Sequence, residues 1–237
     1  MTPQSTVASA SGKIILFGEH AVVYNRPAIA VPVTDVSAVA TVTARNADGC
    51  LVLAHDLQRE FLLSTAPEDE ALALIVRLTL AQLGAPADPN WRIDVRSTIP
   101  LASGLGSGAA VSTAIVRAIF GHVGQDAPPD VVSALTYRTE ELYHGTPSGI
   151  DNTVVAYGQP VWFVRGEPIQ SFTPARPFMI AIADSGIASP TRQAVGDVRC
   201  SGRRTPSGTK PGSMRSARSS TLPVAPSKTV TSPRSAR

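Results

Sequence analysis

Ile99-Pro100-Leu101-Ala102-Ser103-Gly104-Leu105-Gly106-Ser107-Gly108-Ala109-Ala110-Val111-Ser112-Thr113-Ala114-Ile115-Val116-Arg117-Ala118-Ile119-Phe120-Gly121 is the stretch around which the chain is arranged. Three glycines in five positions allow backbone conformations closed to residues with a Cβ, so Gly104 to Gly108 reads as a loop built for close approach. Val111, Ile115, Ile119 and Val123 then recur at four-residue steps, with Ser112, Arg117 and His122 off that face, which predicts a helix. The first turn of a helix has unpaired N–H groups and a partial positive charge, so a glycine loop opening into a helix is an anion site, with phosphate the natural ligand. The same glycines would also allow tight packing of the helix on a sheet. A P-loop is excluded because Lys and Ser/Thr do not follow the last glycine. Gly104-x-Gly106-x-x-Ala109 satisfies a dinucleotide fingerprint only formally, since Asp126 and Asp130 fall in a Pro-rich turn instead of closing a strand.

Upstream, Ser11 to Phe17 is a compact apolar run ended by Gly18 and predicts a buried strand, followed by a turn holding Glu19, His20, Tyr24 and Asn25. Strands are expected at 27–33, 36–44, 50–54, 58–63 and 91–96. Thr65-x-x-Glu68 reads as a capping box opening a helix that Gly84 stops after Leu83. Downstream, a helix from Pro128 or Pro129 to Tyr143 is closed by Gly145, and Thr146-Pro147 reads as the start of another through Ala156. Strands at 161–164 and 178–183 follow. The fold class is α+β, a two-layer domain of mixed sheet and helices.

Of 237 residues, 43% are apolar, and no apolar run is long enough to span a bilayer. Two cysteines, Cys50 and Cys200, make neither a disulfide framework nor a metal-type spacing, and no signal peptide is evident, so a cytoplasmic location is expected. The net charge of +3 averages two unlike pieces: residues 200–237 hold six Arg, two Lys and no acid, for +8, leaving −5 on residues 1–199. With nine Ser, five Pro and no apolar periodicity, that last piece predicts a solvated, disordered tail, and neither a nucleic acid nor a membrane is an expected partner. The domain expectation is therefore 1–175 for the main domain with its phosphate loop, 176–199 for the start of an incomplete second α+β domain, and 200–237 for the tail.

Three polar islands could do chemistry: Lys13 with Glu19 and His20; Ser107 in the glycine loop; and Glu140 with His144, Ser148, Asp151 and Asn152. Singly, Lys13 and Glu140 read equally as exposed charges, His144 as a helix-surface partner of Glu140, and His55 and His122 as lacking polar company. Asp151 differs, because it interrupts an apolar run with Ile150, Val154 and Val155, and a buried carboxylate needs a partner. An anion loop, a lysine and two carboxylates together supply the parts for phosphoryl transfer: anchoring, charge neutralisation, metal binding and orientation of a hydroxyl.

The motifs Gly12-Lys13-Ile14-Ile15-Leu16-Phe17-Gly18-Glu19-His20-Ala21-Val22-Val23-Tyr24, Pro100-x-x-x-Gly104-Leu105-Gly106-Ser107-Gly108-Ala109-Ala110 and His144-Gly145-Thr146-Pro147-Ser148-Gly149-Ile150-Asp151-Asn152 resemble, in order, those of the mevalonate kinases. These belong to the galactokinase, homoserine kinase, mevalonate kinase and phosphomevalonate kinase superfamily. The resemblance covers residues 8 to about 199, including Ala183-Asp184-Ser185-Gly186. It implies ATP-dependent phosphorylation of the C5 hydroxyl of mevalonate with Mg2+, in isoprenoid precursor synthesis. Asp151 would take or orient the hydroxyl proton and Lys13 would stabilise the alkoxide character and the γ-phosphate. Pro100 and Gly104, Leu105, Gly106, Ser107, Gly108, Ala109 and Ala110 would wrap the ATP phosphates, and Glu140 would hold Mg2+. Glu19, His20 and His144 would shape the substrate pocket. A homodimer is compatible with it.

Two departures stand out. The family commonly has a second consecutive serine, a Mg2+ ligand, where this chain has Gly108, so Ser107 or a water would substitute. The family's late glycine-rich motif has no counterpart after Arg199, and the composition break near Cys200 is what a wrong reading frame or a truncated gene would produce. The alternatives are another kinase of the superfamily, phosphomevalonate kinase foremost, a non-catalytic fragment, and a nicotinamide-dependent enzyme.

Overall fold

In the computed structural model, residues 5–144 and 147–183 are described, the side chains of Tyr143 and His144 excepted, and all of them fall within the first of two units of the chain, Met1–Arg199. The expectations for Gly145, Thr146 and residues 184–237 lie outside the described residues.

Two long strands, β1 (Ser5–Phe17) and β2 (Ala28–Ala44), pair antiparallel along nearly their whole lengths. Residues 27–44 were expected as two strands. They form one, because β1 pairs with both halves and a register shift between Ser11 and Gly12 takes up the extra residues from Thr34 to Asp35 and Val36. The C-terminal half of β2 pairs with β5 (Trp91–Ser97), and its N-terminal end pairs with β6 (Val161–Phe163). Strands β3 (Leu51–Ala54) and β4 (Arg59–Leu62) extend the sheet beyond β5, with β3 running parallel to it, and β7 (Gln170–Ser171) adds to β6. The result is a seven-stranded mixed sheet among the described residues.

Four helices, α1 (Ala71–Leu83), α2 (Ser107–His122), α3 (Pro129–His144) and α4 (Ile150–Tyr157), make the second layer. Helix α2 packs on β1, β2 and β5, while α1 and α3 pack on α2, so α2 lies at the centre of the core. This explains a difference from its expected apolar stripe. Ser112 and Thr113 are buried beside Ile115 and Ile119, whereas Val123 is exposed, since a helix covered by sheet and helices buries most of its circumference. The α+β, two-layer architecture is as expected.

Several boundaries differ. Helix α1 begins at Ala71, not at a Thr65 cap: Thr65 closes a short 3-10 turn and donates to the Leu62 carbonyl (3.2 Å). The Arg77 guanidinium gathers the carbonyls of Leu63 (2.8 Å), Ala66 (2.7 Å) and Pro67 (3.2 Å), and so holds that turn non-helical. Gly84 does stop α1, in the left-handed conformation. Helix α4 begins at Ile150, not at Pro147, because Gly149 sits at φ 89 and breaks any helix entering from Pro147. Residues 178–183 form no strand: they pair with no other strand among the described residues, and Phe178, Met179, Ile180 and Ile182 are exposed.

Candidate active site

Lys13 brings the first piece. Although charged, it is 4% exposed, and its backbone N–H donates to the Leu105 carbonyl (2.9 Å), which ties β1 to the glycine loop. Its aliphatic stem lies along Gly106. That residue has φ 73, and a Cβ there would stand 2.7 Å from Lys13 Cγ and 3.0 Å from Cε. Gly106 is therefore required twice, for its left-handed backbone and for the passage of the lysine. It is also the N-cap of α2, so the free N–H groups of the first turn of α2 open beside the lysine stem.

The Lys13 ammonium reaches Asp151 Oδ1 at 2.9 Å. Asp151 stands in the first turn of α4, with its side chain 31% exposed, so the pair joins a buried cation to a carboxylate that still meets solvent.

Glu140 supplies a second carboxylate from α3, only 5% exposed. A Cβ on Gly108 would lie 3.2 Å from its Oε1, so α2's first turn and the Glu140 carboxylate face each other across the space that glycine leaves. Burial, and then the negative charge of Asp151, push Glu140 up to about 7, against the opposing pull of Lys13. Loop, lysine and both carboxylates thus share one locality.

The other expected residues sit as follows. Gly104 (φ 77) and exposed Pro100 and Leu101 shape the turn before α2, with Ser103 donating to the Pro100 carbonyl (2.8 Å). Ala109 and Ala110 are buried, and Ala110 N–H makes a first helical bond to Gly106 (3.0 Å). Ser107 lines an apolar recess with Leu57, Ile99, Leu101 and Val111. Glu19 is exposed and His20 half-buried in the turn after β1, and neither bonds to Lys13, Glu140 or Asp151 among the described residues. The side chain of His144 lies outside the described residues.

Two histidines do have polar company, contrary to expectation. His55 Nε2 lies 2.9 Å from Asp94 Oδ1, and His122 Nδ1 lies 3.2 Å from Thr6 Oγ1. The parallel pairing of β3 with β5 brings Asp94 to His55, and the packing of α2 on β1 brings Thr6 to His122, which no local spacing reveals. Ser112, off the apolar face in sequence, is buried with Thr136 and Thr139, and the sequence signal for these hydroxyls is only that polar residues stand among apolar ones on helices.

No group of three or more His, Cys, Asp and Glu that could hold a metal occurs among the described residues. The donor set nonetheless fits Mg2+, which binds through one or two carboxylates together with substrate phosphates: a buried, poorly solvated Glu140 carboxylate beside an anion-binding helix terminus is such a partner. No helix among the described residues is long and apolar enough to cross a membrane.

Residues 71–159 match the family described as GHMP kinases N terminal domain. Mevalonate kinase of Pyrococcus furiosus is 30% identical over 207 residues, covering 81% of this chain and 61% of that protein. Mevalonate kinase of Thermococcus gammatolerans is 34% identical over 211 residues with the same coverages, 81% and 61%. The chain thus spans about three-fifths of the length of these relatives. Among solved structures, mevalonate kinase of Methanococcus jannaschii superposes with TM-score 0.63 at 22% identity, over 72% of this chain and 56% of that one. The L. major mevalonate kinase in complex with R-mevalonate superposes with TM-score 0.64 at 23% identity, over 87% of this chain and 64% of that one. At these identities the two superpositions show a shared fold over the covered residues. Residues 71–159 are thus similar to the N-terminal domain of GHMP kinases, and the chain is similar to the mevalonate kinases over about three-fifths of their length.

Proposed function

We propose that this chain transfers the γ-phosphoryl group of ATP to the C5 hydroxyl of mevalonate. What carries the reading is the 2.9 Å contact of Lys13 with Asp151 beside the first turn of α2, with Glu140 on the other side of that turn. Such a transfer asks a protein mainly for positioning and charge stabilisation.

In this reading the phosphates lie in the loop from Pro100 through Ala110, against the N–H groups of α2's first turn. Asp151, oriented by Lys13, accepts the proton of the C5 hydroxyl as its oxygen bonds to the γ-phosphorus. The bond to the β-phosphate oxygen breaks, and ADP leaves. Lys13 stabilises the negative charge on the attacking oxygen and the transferring group. Glu140 and Ser107 would hold Mg2+, which supplies further neutralisation of the phosphate charge. Glu19, His20 and His144 shape the mevalonate pocket. The reaction belongs to the cytoplasm, needs neither nucleic acid nor membrane, and is compatible with a homodimer.

A coupled assay of ADP release with mevalonate, phosphomevalonate, galactose and homoserine tests the proposal. Turnover with mevalonate alone supports it; turnover only with another acceptor contradicts the substrate, and none with any acceptor contradicts the kinase.

A further inference from the structure

Helices α2 and α3 pack on each other, and four buried hydroxyls meet between them. Ser112 Oγ lies 3.0 Å from Thr139 Oγ1, and Thr113 Oγ1 lies 3.3 Å from Thr136 Oγ1. Thr139 Oγ1 also lies 2.7 Å from the Thr136 carbonyl. A carbonyl only accepts, so the Thr139 proton goes to Thr136, and the proton shared between the two hydroxyls comes from Ser112.

Apolar contacts between helices are non-directional and tolerate sliding, whereas a buried hydrogen bond has one geometry and a cost if broken. The pair sits where sliding would matter. Thr139 immediately precedes Glu140, and Ser112 lies one helical turn beyond Gly108, the residue that faces Glu140 Oε1. A second tie, Asn152 Nδ2 to the Ser133 carbonyl (3.1 Å) and hydroxyl (2.9 Å), fastens α4 to α3 next to Asp151.

We infer that Ser112 and Thr139 are positioning residues that lock α3 against α2, so that the Glu140 carboxylate is held at the first turn of α2. This rests on the reading of that turn as the Mg·ATP phosphate site. Neither residue touches the reacting groups; both act through Glu140.

The test uses the full chain and follows MgATP binding by calorimetry across a Mg2+ series, beside the KM for mevalonate. Thr139→Val and Ser112→Ala should each raise the Mg2+ concentration needed for half-maximal nucleotide binding about tenfold, a cost of roughly 1.4 kcal/mol. The mevalonate KM should hold, and Thr139→Ser should stay within about twofold of wild type. Should Thr139→Val fail to fold, Ser112→Ala, which deletes one oxygen, carries the test. Wild-type Mg2+ dependence in folded variants, with only a lowered melting temperature, would overturn the positioning role alone. Absence of Mg2+-dependent nucleotide binding by the wild type would instead overturn the phosphoryl-transfer reading beneath it.

Discussion

The ammonium of Lys13, on β1, lies 2.9 Å from Oδ1 of Asp151, on α4, and the lysine is buried while a third of the aspartate meets water. The asymmetry separates stability from catalysis. Lys13→Met keeps the packing against Gly106 and leaves a carboxylate that can rehydrate, so stability should change by no more than about 1 kcal/mol. Phosphoryl transfer should fall at least roughly 100-fold, because charge on the transferring group loses its cation. Urea unfolding beside the coupled assay measures both. An unfolded variant, or one with near-normal turnover, would contradict this.

Glu140 makes stability depend on pH. Its folded value of about 7 lies above the 4.5 of an ordinary glutamate, so the folded chain holds a proton that the unfolded chain has released. The stabilisation is complete below about 4.5 and is lost as pH rises through 7. In chelator, urea midpoints should therefore fall across that window, and Glu140→Gln should flatten the slope.

The same group must be ionised to hold a cation. Mg2+-dependent ATP binding should strengthen as pH rises towards 7 and then level off, the reverse of the trend in stability. Calorimetry in buffers of different ionisation enthalpy should show a proton released near pH 6.5, and none in Glu140→Gln. Uptake of a proton on binding would contradict the assignment.

Gly106→Ala meets two obstacles, φ 73 and a Cβ 2.7 Å from Lys13 Cγ. We expect a loss of about 1–3 kcal/mol in stability and of most ATP binding, since relief requires moving either the loop or the lysine. Arg77→Ala offers a contrast. It removes the donor to three carbonyls in the segment preceding α1 and should cost a similar 1–3 kcal/mol with ATP affinity unchanged.

Much of this was legible along the chain, and what was not has a common cause. The apolar run at β1, the alternation at β5 and the glycine loop before α2 declare themselves locally, because each is set by neighbours in sequence. The Thr65 cap failed because Arg77, a turn and a half into α1, claims the carbonyls that would otherwise enter the helix. The start of α4 was misplaced because the conformation of Gly149, not the proline, decides it. Residues 178–183 have strand composition but no strand beside them among the described residues, and composition alone does not make a ladder. In the candidate site, Lys13 and Glu140 singly read as well as solvated charges, and Asp151 alone reads as a carboxylate in need of a partner. Only their meeting at Gly106 and Gly108 separates the two readings.

The central claim, that Asp151 receives the proton of the acceptor alcohol, is tested most directly by following phosphorylation of mevalonate by wild type and Asp151→Asn at saturating MgATP. Asparagine keeps the size and a hydrogen bond but cannot take the proton, so turnover should drop by roughly 10²–10⁴-fold with ATP binding intact. Equal rates in the two proteins would contradict it.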